Sequence, residues 1–263
     1  VLKEYAKKAP CKFKWFTQQN KGSYAARNLG IEMAKGEIIC FIDDDCIADK
    51  HWIEKLVEGF TDGWVGGVGG QIVAYNPKTV LEEYSKMDQE RAVKYSSFLI
   101  TANAAYRKDI LKMVGGFDCL FRSGGDNDIG IRVTSRGYKL KYAPDAIVYH
   151  KHRATLKSLI KQRYNYGFWE AVLSKKYECS PIFMQFVVIN LFRLFYTLIL
   201  LPLRLFKENR NLLLLNIIVI FVYTLGLING ILFGKYSGKK ERIEGDFLED
   251  MKITNAIRKK LGV

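Results

Sequence analysis

The apolar run Ile38-Ile39-Cys40-Phe41-Ile42 stops at three consecutive carboxylates, Asp43-Asp44-Asp45. A short apolar run of this kind reads as a buried strand. The carboxylates then emerge at the carboxyl end of a sheet, the edge at which open α/β sheets bind ligands. Adjacent like charges repel one another and are costly to desolvate, so a cluster held at a strand end is most naturally neutralised by a divalent cation. One of these residues could cap the following helix, a contribution of roughly 1 kcal/mol. A cap needs one carboxylate, and there are three.

The flanking sequence predicts an α/β layered fold. Phe13 to Phe16 is a strand candidate, and Ser23 is placed to cap a helix running through Lys35, with Ala25, Ala26, Leu29, Met33 and Ala34 at helical spacing and Gly36 at its end. A further helix is expected around His51 to Phe60. Strand and helix thus alternate. The glycine-dense stretch Gly63 to Gly70 contains no GxxxxGK[ST] loop and reads as a turn before a strand at Gln71 to Tyr75. Residues 80–95 read as helical and 98–106 as extended. A turn at Pro144 should precede a short strand ending at His150.

Beyond residue 150 the composition changes. Lys and Arg number 41 against 27 Asp and Glu, giving +14, and an excess of that size implies an anionic partner such as nucleic acid, an anionic membrane face or a phosphorylated substrate. No RNP, helix-turn-helix or zinc-finger pattern supports nucleic acid. Between Lys151 and Lys176 basic residues interleave with Tyr164, Tyr166, Phe168 and Trp169, as in a solvated amphipathic helix or a membrane-surface helix. Ile182 to Phe206 is apolar but carries Arg193 and Arg204, whereas Leu212 to Gly234 is uncharged and long enough to span a bilayer. A helical hairpin with Lys207 to Asn211 as its outer turn would keep the preceding domain and the basic tail cytoplasmic, as the positive-inside tendency prefers; an interfacial first helix is the alternative. Five cysteines at 11, 40, 46, 119 and 179, without metal-ligand spacing, suggest reduced thiols. The opening Val1 to Lys8 reads as the end of an amphipathic helix, with no leader, so the chain is expected to begin inside a domain.

Several local patterns fall in one order. Asn20-Lys21-Gly22, Ala26-Arg27-Asn28-Leu29-Gly30, Ala34-Lys35-Gly36-Glu37-Ile38-Ile39 and Phe41-Ile42-Asp43-Asp44-Asp45 come first. Val114-Gly115-Gly116-Phe117-Asp118, Gly124-Gly125-Asp126-Asn127-Asp128-Ile129 with Arg132, Gly137-Tyr138, and Pro144-Asp145-Ala146 leading to His150 follow. The succession resembles the GT-A-fold family 2 glycosyltransferases, which move a sugar from a nucleotide diphosphate donor to an acceptor hydroxyl. The resemblance implies a GT-A, Rossmann-like domain over residues 1–152, lacking the family's first strand and nucleotide-binding turn as in an amino-terminally truncated member. Basic membrane-proximal helices at 153–181, a membrane segment at 182–234 and a charged tail at 235–263 would follow.

The chemistry divides among named residues. Breaking an anomeric carbon–diphosphate bond develops negative charge on the leaving group, which Mg²⁺ or Mn²⁺ can offset. Asp43 and Asp45 are the expected metal ligands, and His150 at a strand end is a candidate third. Asp126 is the candidate general base, taking the proton of the acceptor hydroxyl. Where the resemblance leads one to expect Glu-Asp, this chain has Gly125-Asp126. Arg27, Asn28, Asp43 and Asp44, with Asp128 and Arg132 as supports at the helix start, are the expected substrate-binding set. The expected activity is inverting transfer to an envelope glycan or lipid-linked acceptor at the cytoplasmic membrane face, with anionic lipid as a further partner and no nucleic acid. An inactive membrane-attached remnant of the same fold is the rival reading.

Overall fold

A computed structural model describes residues 4, 6–9, 11–86, 98–152, 155–178, 180–199 and 209–240. Its first helix, α1 (Ser23–Met33), starts one residue from the expected cap: Gly22, at φ +93°, is the N-cap, and Ser23 is already helical. Ala34 is extended and closes the helix, so Lys35 and Gly36 lie outside it. Next come β1 (Ile38–Ile42), β2 (Cys46–Ala48), α2 (Trp52–Glu58), β3 (Val65–Ala74), β4 (Asn103–Arg107), α3 (Lys108–Met113), α4 (Gly125–Thr134) and β5 (Lys139–His150). Residues 80–86 are helical, and the remainder of the helix expected to 95 lies outside the described residues. Phe13 to Phe16 forms no strand, and Trp15 and Phe16 are exposed. Cys11, Cys40, Cys46 and Cys119 are free thiols, while Cys179 lies outside the described residues.

The five strands form one mixed sheet in the order β1-β4-β3-β5-β2. Only the β3–β5 pairing is parallel; β1–β4, β3–β4 and β2–β5 are antiparallel. Apolar residues pack on its two faces. Tyr24, Ile31, Phe41, Tyr106, Leu111, Phe117, Ile129 and Val133 form one cluster, and Trp52, Leu56, Val65, Val68, Ile72 and Val148 form the other.

Most of the glycine-dense stretch is strand: Gly63 sits in the turn before β3, whereas Gly66, Gly67, Gly69 and Gly70 lie inside it, and a Cβ at Gly70 would stand 2.2 Å from the Ala146 carbonyl and 2.4 Å from the Asn103 amide. Here the β3–β5 register slips: Gly70 faces Ala143, yet Gln71 faces Ile147. Residues 144–146 bulge out, which accommodates Pro144, a residue with no N–H to give to a ladder. The buried Asn103 amide fills the gap. Its Nδ2 donates to Gln71 O and Ala146 O, both at 2.8 Å, and its Oδ1 accepts from Trp52 Nε1 at 2.7 Å.

Among the described residues three helices follow: α5 (Leu156–Lys176), α6 (Ser180–Ile199) and α7 (Arg210–Phe233). Thr155 caps α5 by accepting from Ser158 N, and Asn209 caps α7. Although α5 is the basic, aromatic segment, its carboxyl end sends Val172 and Leu173, with Tyr177 just beyond it, into the same core as Phe121 and Ile129. α5 and α7 run side by side in the same direction, in backbone contact through glycine: a Cβ on Gly226 would meet Tyr164 O at 2.2 Å, and one on Gly167 would meet Tyr223 O at 2.1 Å.

Replacing Asn103 by Leu should strand two buried carbonyls and the Trp52 indole N–H. At about 1–3 kcal/mol for each unsatisfied group, the expected loss is at least about 3 kcal/mol. It would be read as a fall in the urea midpoint.

Candidate active site

The acidic triplet occupies the tight connection between β1 and β2, closed by Cys46 N donating to Asp43 O at 3.1 Å. Its three carboxylates diverge. Asp43 Oδ1 receives the Arg27 guanidinium at 2.6 Å, and that guanidinium lies over the rings of Tyr24 and Phe117. Asp44 is exposed at the tip of the turn. Asp45 Oδ1 lies 3.2 Å from His150 Nε2.

Asp45 and His150 come together because β2 pairs antiparallel with β5, setting Cys46 directly opposite His150. Donor atoms of Asp45, Cys46 and His150 lie within 4.8 Å of one another, the group among the described residues that could hold a cation. Asp43, expected to share that cation, is paired with Arg27 and stands outside the group. Cys46 was not foreseen as a neighbour, because its proximity depends on strand pairing. Burial, then the charges of Asp45 and Asp43, push its thiol up to about 12. A neutral thiol is a poor ligand for a hard cation, which leaves Asp45 and His150 as the members of the group that could hold one. His150 Nδ1 is 3.2 Å from His152 Nδ1. Burial, and then the neighbouring His150, lower His152 to about 4, leaving it neutral at physiological pH.

Asp126 lies in the first turn of α4, after Gly124 at φ +80° as N-cap. Thr101 holds both its oxygens: the backbone N–H donates to Oδ2 at 3.0 Å and the hydroxyl to Oδ1 at 2.9 Å. Desolvation raises the Asp126 pKa above the ordinary carboxylate range, against the Thr101 bonds and the Arg27 charge, which lower it. A buried carboxylate whose pKa is raised is a better proton acceptor than an ordinary one. No local sequence signal marked Thr101; it reaches the site just ahead of β4.

Gly125 has a steric reason. A Cβ there would stand 2.5 Å from the Tyr24 ring, and the Gly125 N–H donates to the Tyr24 hydroxyl at 2.9 Å. The aromatic ring from α1 occupies the space a side chain at 125 would need.

Other expected substrate-binding residues face inward. The Asn28 amide clamps Phe117, donating to its carbonyl and accepting from its N–H, each at 2.8 Å. Asp128 is fully buried and binds Arg132 Nη2 at 2.5 Å, Lys176 Nζ at 2.6 Å and the Tyr177 hydroxyl at 2.7 Å. Lys176 also reaches Asp118 Oδ2 at 3.1 Å, and that oxygen accepts from the Tyr236 hydroxyl at 2.7 Å. Burial opposes ionisation of Asp118, but bonds from Leu120 N, Tyr236 and Lys176 outweigh it and hold the carboxyl below its usual range. The structure thus brings together Arg27, Asp43 and Asp126 electrostatically, and Asp45 and His150 by contact, while Asn28, Asp128 and Arg132 support the framework.

A mixed sheet carrying an acidic turn at a strand end and a carboxylate at a following helix start defines a GT-A-type fold. Its overall likeness to a mannosyltransferase from Pyrobaculum calidifontis, solved with GDP-Man and Mn²⁺, has a TM-score of 0.51 at 12% identity, over 97% of this chain and 66% of that one. Residues 1–129 match the model of Glycosyl transferase family 2. Among curated relatives, the glycosyltransferase AglE of Haloferax volcanii is 34% identical over 154 residues, 57% of this chain and 50% of that protein. The pre-mycofactocin glycosyltransferase of Mycobacterium tuberculosis is 31% identical over 169 residues, 60% of this chain and 36% of that protein. The chain spans half or less of the length of these relatives.

Lys176→Met should leave the buried Asp128 short of one cation. Breaking a buried pair in this way costs about 3–5 kcal/mol, to be seen as a lowered thermal midpoint.

Proposed function

We propose that the protein is a membrane-associated, inverting glycosyltransferase, taking its sugar from a nucleotide diphosphate donor and using Asp126 as general base. The observation that carries this reading is the Asp126 carboxylate. It is held by Thr101, raised by desolvation, and linked through the Arg27 charge to the acidic turn. In that position it can take the proton of an acceptor hydroxyl as the hydroxyl attacks the anomeric carbon. One base and a direct displacement invert the anomeric centre without a covalent intermediate. Arg27 is the cation placed to meet donor phosphate in exchange for Asp43, and Asp43 and Asp44 line the same turn for polar contacts to the donor.

Asp45 and His150 are the residues that would hold Mg²⁺ or Mn²⁺, their oxygen and imidazole donors being compatible with either role and Mn²⁺ the better match to nitrogen. A cation bound there supplies charge to offset the departing diphosphate. The Mn²⁺ and GDP-Man of the Pyrobaculum mannosyltransferase support a metal and a nucleotide sugar here. Helix α7, of 24 residues and uncharged from Leu212 onward, and the basic excess support work at a membrane, with an envelope glycan or lipid-linked acceptor and the catalytic domain on the cytoplasmic side.

Calorimetry with Mn²⁺ and nucleotide sugars tests the assignment on the full-length protein. Asp45→Ala should abolish Mn²⁺-dependent donor binding; unchanged affinity would remove the metal site. Asp126→Asn should keep donor binding while turnover falls at least about 10²-fold.

The pH profile gives an independent check. A base works only when deprotonated, so activity is lost as pH falls through the Asp126 pKa, and the raised value places this limb above the ordinary carboxylate range. Thr101→Val removes a hydroxyl bond that lowers that pKa, so the acidic limb of kcat/KM should move to higher pH. A limb that stays in place would rule Asp126 out as the titrating base.

A further inference from the structure

We propose that α7 lies in the plane of an anionic membrane interface and does not cross the bilayer. The proposal rests on the membrane-associated reading above and revises the hairpin expected from the sequence. By length and composition α7 could cross: 24 residues rise about 36 Å against a hydrocarbon core of about 30 Å. What decides its orientation is what holds it.

Both ends of α7 are tied to the catalytic domain. Near its start, Asn216 Oδ1 accepts from the Tyr84 hydroxyl at 3.2 Å, and Leu215 and Val219 pack with Leu81 and Tyr84. Near its end, Lys175 Nζ donates to the carbonyls of Ile231 and Gly234, both at 2.7 Å. Just beyond, Tyr236 stacks on Phe121 at 5.6 Å and bonds Asp118. The two anchor points, at 81–84 and 118–121, both lie within the family-matched residues. A crossing helix would place them at opposite faces of the bilayer. It would also draw the charged Glu82, Glu83 and Lys86, and the exposed Lys157 and Lys161 of the adjacent α5, towards the hydrocarbon, where such side chains are expensive.

What α7 leaves uncovered suits an interface. Among its exposed large apolar side chains, Leu214, Phe221, Leu225 and Leu232 are spaced 7, 4 and 7 residues apart, which keeps them within about 20° of one line along the helix, and Phe233 at the last turn lies off that line. On α6 the exposed Val188, Phe192, Phe195 and Ile199 form a second apolar face at helical spacing. Exposed cations flank both ends of the α7 stripe, with Arg210 at one end and Lys235, Lys239 and Lys240 at the other. A helix inserted shallowly along its length, with basic residues at headgroup level at both ends, matches an anionic lipid surface.

Two measurements on the full chain test this. Single-cysteine probes at Asn209 and Ser237, compared with the chain lacking a probe, are challenged in intact cells with a membrane-impermeant thiol reagent, before and after lysis. An in-plane α7 puts both probes on one side, so they should label alike; any crossing by α7 makes them label oppositely and overturns the proposal while leaving membrane association intact. In the second arm, the purified protein is floated with phosphatidylethanolamine vesicles containing about one quarter phosphatidylglycerol. Binding should be lost in high salt, and Phe221→Glu with Leu225→Glu should weaken it at least about 10-fold with the circular dichroism spectrum preserved. No flotation of the native chain would overturn both the proposal and the membrane reading, and salt-resistant binding unaffected by these substitutions would overturn the proposal alone.

Discussion

A single carboxylate, Asp128, decides how the two parts of this molecule meet. Fully buried, it would be prohibitively costly as an isolated charge, and it is met by Arg132 one turn along its own helix, by Lys176 at the end of α5 and by the Tyr177 hydroxyl. Lys176 continues to Asp118, and Asp118 to Tyr236 beyond α7. Two anions and two cations balance within one largely buried network. The helices that follow the sheet are therefore built into the domain that carries the chemistry, and α4, which presents Asp126 two residues before Asp128, is fixed by contacts from a distant part of the chain.

The same logic holds at the middle of the sheet. A bulge in β5 interrupts the ladder where β3 and β5 change register, and one buried amide, Asn103, bridges the exposed carbonyls and the Trp52 indole. Gly70 leaves the space that this amide fills. Just before Asn103, Thr101 grips Asp126, so the segment entering β4 both repairs the sheet and positions the proposed base. Tyr24 does comparable work from α1, occupying the volume next to Gly125 and accepting its N–H.

Much of the site was legible because its signals are local. A five-residue apolar run ending in carboxylates marks a strand end whatever its partners, and most of the ordered motifs fall within the residues that match the Glycosyl transferase family 2 model. Asp45 and His150 were both candidates for one cation, and the structure sets them 3.2 Å apart. Other features were not legible. The glycine stretch at 63–70 lacks the side chains by which a strand is recognised, though Gly66, Gly67, Gly69 and Gly70 serve close packing inside β3. Asp128 was expected to support the helix start, but nothing local announced its distant partner Lys176, or the clamp that Asn28 makes on Phe117.

The sequence by itself determined which residue types stand at strand ends and helix starts, the alternation that favours layered α/β structure, and the long uncharged run from Leu212 to Gly234, since each depends on a few neighbouring residues. Only the tertiary structure decided that Cys46 faces His150, that Asp43 is claimed by Arg27, and that α7 is held at both ends by the domain before it. The reason is physical. Hydrophobic periodicity and charge spacing report how a segment prefers to fold, whereas pairing register and the neutralisation of buried charge depend on groups far apart in sequence that meet only when the sheet and its helices have closed on one another.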